Sequence, residues 1–238
     1  MVFFTKLRNF AVILPKNLLD FCCAALEAIG VMHKGEKFNS ITHLIGAVLA
    51  LAGLVILVVF ASLEGDPWKI VSFSIYGASL LLLYLSSTLY HSMHVSRAKR
   101  FLKKLDHHSI YILIAGTYTP LALVTLRGTW GWTIFGIEWF LAFTGIVLDS
   151  FPKIVKEHRI IPLIIYILMG WIGVAAFKPM LENFSIWGAW LILAGGIFYT
   201  AGIVFYIFDH RVRHFHGIWH LFVLAGSMSH FFSIFVYV

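Results

Sequence analysis

The sequence predicts an all-α fold: a bundle of seven transmembrane helices with its N-terminus cytoplasmic and its C-terminus extracytoplasmic. Three observations carry that prediction. Of 238 residues, 60% are hydrophobic and only 12% are charged, with a mean hydropathy of +0.88, against roughly 25% charged in an ordinary soluble domain. Seven mostly apolar runs each reach the length of about 18 to 25 residues that crosses a bilayer as a helix. Lysine and arginine gather in alternate connections, which is how cytoplasmic loops are marked.

Taken in order, the first run lies near 41–61 and follows a stretch carrying Lys6, Arg8, Lys16, Lys34 and Lys37. The second, near 68–91, leads into a connection with Arg97, Lys99, Arg100, Lys103 and Lys104, after which the third occupies 107–126. The fourth, near 130–148, is followed by Lys153, Lys156 and Arg159, the fifth spans 160–177, and the sixth, 184–208, precedes Arg211 and Arg213. The seventh closes the chain at 215–238. The remaining three connections hold only Lys69, Arg127 and Lys178, so the heavily basic side is assigned to the cytoplasm.

Continuous apolar runs exclude a barrel, which needs short alternating segments, and an open sheet would leave its backbone groups unpaired in lipid. No polar stretch is long enough for a second core, so two parts are expected: residues 1–35 as a cytoplasmic segment and 36–238 as one seven-helix domain. Residues 16–30 read as a short amphipathic helix on the membrane surface. "FAVIL" is too short for a secretory signal core, and the adjacent Cys22 and Cys23, on the reducing side, are packing residues with no disulfide framework. The net charge of +7 is explained by topology and by anionic headgroups at the cytoplasmic face, with no nucleic acid needed.

Ionisable groups inside spans are costly and point to function. The second run ends in "LSSTLYHSMH" and the seventh begins with "HFHGIWH"; opposite helix directions place His91, His216 and His220 in one leaflet. His216 and His220, one helical turn apart, share a face and differ in depth by about 6 Å. With His91 they form a three-imidazole set that leaves a fourth tetrahedral position open, as catalytic zinc sites do. Hydrogen bonds to backbone, water or headgroups are the simpler use of such histidines, and imidazoles alone would also suit copper, nickel or iron.

Ser87 precedes His91 by one turn and either orients a ligand or bonds the carbonyl four residues back. Asp106 either caps the third helix or serves as a general base and acid. Glu36, Asn39 and His43 lie near the start of the first helix as a supporting layer, although Asn39 also suits a cap. Glu138 is mid-span without an assigned role. Asp149, Asp209, His94, His107, His108, His158, His210 and His214 are expected to be solvated, and His230, roughly 15 Å beyond His220, is too deep to share the same metal.

These residues fall into three motifs: E-x-x-N-x-x-x-H at Glu36, Asn39 and His43; S-x-x-x-H at Ser87 and His91, followed by Asp106; and H-x-x-x-H at His216 and His220. The set resembles the hemolysin III branch of the progestin and adiponectin receptor (PAQR) family, from about residue 36 to the C-terminus. The resemblance implies Zn2+ near the cytoplasmic face, held by His91, His216 and His220, with Ser87 and Asp106 beside it. It extends to alkaline ceramidases, and so implies a zinc-dependent hydrolase of lipid amide or ester bonds in membrane lipid homeostasis, with a membrane lipid as substrate or ligand. If the chain is bacterial, its membrane is the inner one. Two other readings stand beside it: a non-catalytic regulator of lipid composition or fluidity, and a membrane-lytic hemolysin, the latter disfavoured because no row of pore-lining polar residues is seen.

Overall fold

A computed structural model describes residues 35–94, 96–151 and 160–238. The expected amphipathic segment, Cys22 and Cys23, and His158 lie outside these residues. Among the described residues there is no strand, and seven helical spans are long and apolar enough to cross a membrane. The helices are α1 (Lys37–Glu64), α2 (Pro67–Ser92), α3 (Arg97–Pro120), α4 (Thr129–Ser150), α5 (Ile160–Trp171), α6 (Phe177–Asn183), α7 (Ile186–Ile207) and α8 (Phe215–Tyr237). A π-helical stretch, Leu121–Leu126, prolongs α3, and a 3-10 stretch, Ile172–Ala176, joins α5 to α6 within one span.

Local chemistry fixes the ends. Asp66 accepts a hydrogen bond from the Trp68 amide at 2.9 Å, with Pro67 in the first turn of α2, where its missing N–H costs nothing. Gly65 ends α1 in the left-handed region at φ 75°, a conformation open to glycine. Pro120, lacking an N–H, coincides with the change to wider π turns. The spans are joined at one end by two residues each: 65–66, 127–128 and 184–185. At the other, basic end lie Lys37, Lys99, Lys103, Arg211 and their neighbours.

Two boundaries differ from expectation. The third span begins at Arg97 instead of 107, because Ser96 accepts a hydrogen bond from the Lys99 amide at 3.0 Å and starts the helix earlier. The fifth reaches Asn183 through the 3-10 stretch.

The core lies between α1, α2 and α8, where Leu57, Tyr76, Tyr84 and Ile234 are fully enclosed. A second packs Tyr111, Ala115, Ala142 and Met169 between α3, α4 and α5. Outward-facing Leu63, Phe140, Phe143, Leu168 and Trp187 are exposed, as a lipid-facing surface requires. Small residues permit close helix approach: a side chain at Gly46 of α1 would collide with the Tyr84 ring of α2, and one at Gly217 of α8 with Phe38 of α1.

Candidate metal centre and its cavity

Two helices bring three histidines to one point at the basic end. His91 sits on the last turn of α2, and His216 and His220 on the first turns of α8. His214, in the left-handed region at φ 70°, turns the chain into α8 just before them. The ring centroids are 5.0 Å apart for His91 and His216, 5.1 Å for His91 and His220, and 4.7 Å for His216 and His220. One nitrogen from each lies within 4.8 Å of the others.

The surroundings decide which nitrogen is available. His91 Nδ1 meets Glu36 Oε2 at 2.6 Å, His216 Nδ1 meets Asp209 Oδ2 at 2.9 Å, and His220 Nδ1 meets the Asn39 carbonyl at 3.1 Å. A carboxylate or carbonyl only accepts, so each Nδ1 carries the hydrogen and donates it. Each Nε2 is left with a bare lone pair, and all three Nε2 atoms are buried without a hydrogen-bond partner. Three lone pairs facing a common point have no proton to share; a cation satisfies them all. The residues therefore fit the implied metal, and the partners on the far side are of the kind that orient metal-binding imidazoles.

Of the supporting residues, Glu36 is best defined. Its carboxylate bridges His91 and Lys99 Nζ, the latter at 3.1 Å. Burial raises its pKa, but the hydrogen bonds from His91 and Lys99 outweigh that and bring it from 4.5 to about 2. Asn39 contributes its main-chain carbonyl to His220 and lies inside α1, so it is no cap; Glu36 occupies the cap position. His43 stacks on His220 at 3.6 Å and 16°, with its edge to Tyr84, and both its nitrogens are buried without partners. Thr42, absent from the sequence reading, adds Oγ1 at 3.2 Å from His220 Nδ1.

Ser87 is wholly buried and its Oγ makes no hydrogen bond of good geometry, so it does not bond the carbonyl four residues back. It faces the Asp106 carboxyl. Asp106 lies well inside α3, whose cap is Ser96, and lines the cavity described below.

Two carboxylates expected to be solvated are not. Asp209 holds His216 with its side chain 12% exposed, and Asp149, 5% exposed, lies 3.2 Å from His108 Nε2. Both are at helix ends in sequence, but neighbouring helices cover them; His107 and His108 are likewise only partly exposed, whereas His210 and His214 are exposed as expected. Glu138 is completely enclosed with neither oxygen hydrogen-bonded.

The histidine cluster adjoins a cavity of about 1200 Å³. Its wall runs from His91, Asp106 and His216 at the basic end to Phe177, Leu181 and Trp190 near the other, between α2, α3, α5, α6, α7 and α8. Most of it is apolar, and its length follows the bundle axis.

Seven spans around a three-histidine cluster with a deep apolar cavity define a heptahelical integral membrane protein. The chain belongs to the haemolysin-III related family, whose model matches residues 32–231. It is 46% identical over 205 residues to "Hemolysin-3" of Bacillus cereus, covering 86% of this chain and 92% of that protein. It is 47% identical over 204 residues to the "Hemolysin-3 homolog" of Bacillus subtilis, covering 86% and 94%. With the human "Monocyte to macrophage differentiation factor" it shares 27% identity over 205 residues, 84% of this chain and 83% of that protein.

Proposed function

We propose that this protein is an intramembrane zinc hydrolase acting on lipid amide or ester bonds, with its basic end and N-terminus on the cytoplasmic side. The observation that carries the reading is the convergence of three unpartnered Nε2 lone pairs at the basic end of an elongated apolar cavity. His91, His216 and His220 would hold the ion. Bound there, zinc supplies Lewis acidity, polarising a carbonyl and acidifying water toward a pKa of about 7.

The chain's own residues do the rest. The cavity takes up the acyl chain and excludes bulk water from the reacting carbonyl. Asp106, on the cavity wall, accepts the proton from water and returns it to the leaving nitrogen or oxygen. Ser87, whose hydroxyl faces the Asp106 carboxyl, turns its hydrogen to the oxygen on which charge develops once Asp106 has taken the proton. Glu36, Asp209 and the Asn39 carbonyl keep the imidazoles oriented, and Lys103 and Lys104 at the mouth attract anionic headgroups.

The test is metal analysis of the purified protein together with turnover of ceramides, lysophospholipids and acyl esters in nanodiscs. One equivalent of zinc with release of fatty acid is the expected result; zinc present with no turnover of any amide or ester overturns the hydrolase reading. The name of the Bacillus relatives favours a second reading, membrane lysis, and dye release from vesicles on addition of the protein would support it.

A further inference from the structure

Deep in the cavity, far from the metal centre, a second polar cluster interrupts the apolar wall. Tyr199 of α7 and His230 of α8 both line the cavity, their rings edge to face at 5.4 Å. Tyr199 Oη lies 2.8 Å from Ser227 Oγ, and Tyr84 donates to the same Ser227 oxygen at 2.7 Å. Ser227 and His230 are seven and ten residues beyond His220, about 10 to 15 Å further along the helix.

The cluster is built into the backbone. A side chain at Gly195 of α7 would collide with the His230 ring, and one at Gly226 of α8 would come within 2.9 Å of the Tyr199 ring. Each ring thus sits in a notch that a glycine leaves in the opposite helix. A contact made only for packing would be served by phenylalanine, without burying polar atoms in an apolar wall.

Hydrogen-bond capacity remains unused. His230 Nε2 is 3.0 Å from the Ile192 carbonyl, so Nε2 carries the hydrogen, and Nδ1 is an acceptor with no partner. Ser227 receives hydrogen bonds from two tyrosines or passes its own to Tyr199; in the second case the Tyr199 hydrogen is free to point into the cavity. An oxygen-bearing group reaching this part of the cavity meets the Tyr199 hydroxyl, with the unpartnered His230 Nδ1 buried beside it, while a plain hydrocarbon offers neither a partner.

We infer that Tyr199 and His230 form a second recognition point that selects acyl chains carrying a hydroxyl or oxo group in mid-chain. The inference rests on the proposal that the cavity holds a lipid acyl chain, and names the class of chain it prefers.

The probes are octadecanoic acid and its monohydroxy isomers with the hydroxyl at successive carbons, competed against a fluorescent fatty acid on the zinc-loaded protein in nanodiscs. Affinity is expected to peak at one or two adjacent mid-chain positions, roughly two- to tenfold above the plain acid, the range of one hydrogen bond. In Tyr199→Phe the ratio of best isomer to plain acid is expected to fall toward one, with zinc content at the wild-type value. A flat series in the wild type, with plain acid bound, overturns the inference alone and needs no variant that must fold. A peak unchanged in Tyr199→Phe overturns it as well. Failure of every acid to bind overturns both this inference and the acyl-chain cavity beneath it.

Discussion

Asp209 offers the sharpest test of the proposed metal centre, because it would act on a bound ion through His216. Its Oδ2 accepts from His216 Nδ1 at 2.9 Å, and the two side chains are 12% and 25% exposed. Loss of such an orienting partner costs about 10- to 100-fold in metal affinity, or about 1.4 to 2.7 kcal/mol. The range can be divided. Asp209→Asn keeps an oxygen that accepts the same hydrogen bond and removes only the charge, so roughly a tenfold loss is expected. Asp209→Ala removes the acceptor and frees the ring to rotate, so the loss approaches a hundredfold. His216→Ala, which removes a ligand outright, must exceed both. Zinc competition against a chromogenic chelator, with protein in detergent at pH 7.5, reads all three. Wild-type affinity in Asp209→Ala, or a loss in Asp209→Asn equal to that in His216→Ala, would refute the orientation argument.

Asp106→Asn is expected to retain stoichiometric zinc while fatty acid release falls by about 10² to 10⁴, the usual worth of a general acid and base; parallel metal and turnover assays check it, and loss of both together would make Asp106 a structural residue. Gly217→Ala forces the start of α8 away from Phe38 and from Asn39 Oδ1, which an added Cβ would approach to 2.9 Å. Overpacking of that kind costs about 1 to 3 kcal/mol, and thermal unfolding should show a lower midpoint together with weaker zinc retention. Glu36 has a folded pKa depressed from 4.5 to about 2, so its contribution is present above pH 4.5 and disappears as pH falls toward 2. Wild type and Glu36→Gln, both stripped of metal, should therefore differ in thermal stability near neutrality and converge in strong acid, which a melting series across pH would show.

The seven spans are legible in the sequence because apolar length is a local property, and lipid leaves the backbone few alternatives to helix. His91, His216 and His220 are found by following helix direction, since depth along the membrane normal can be counted residue by residue. Of the partners of the imidazoles, Glu36 and Asn39 are placed near the site by the first motif, but Asp209 and the atom that Asn39 uses are not found that way. Asp209 reads as a solvated helix end, yet the packing of α7 beside α8 brings it to within 2.9 Å of His216 Nδ1. The bond from His220 uses the main-chain oxygen of Asn39, which carries no side-chain signature at all. Asp106 reads as a cap because the polar residues before it hide the start of α3, and only the Ser96 to Lys99 bond shows where that helix begins. The glycine notches at Gly195 and Gly226 acquire meaning only once the facing rings are known.

The connectors between spans divide unequally between the two ends of the bundle. Away from the histidines, neighbouring helices are tied by residues 65–66, 127–128 and 184–185 alone, whereas at the histidine end α2 and α3 are joined by 93–96 and α7 and α8 by 208–214. Short tethers fix the spacing of the helix ends they join and work as a pivot. Sideways separation of the spans, which a molecule entering from the bilayer would require, is therefore least constrained beside the imidazoles. On the proposed function, a bulky lipid would enter where its polar part is to be gripped, with its tail threading inward afterwards.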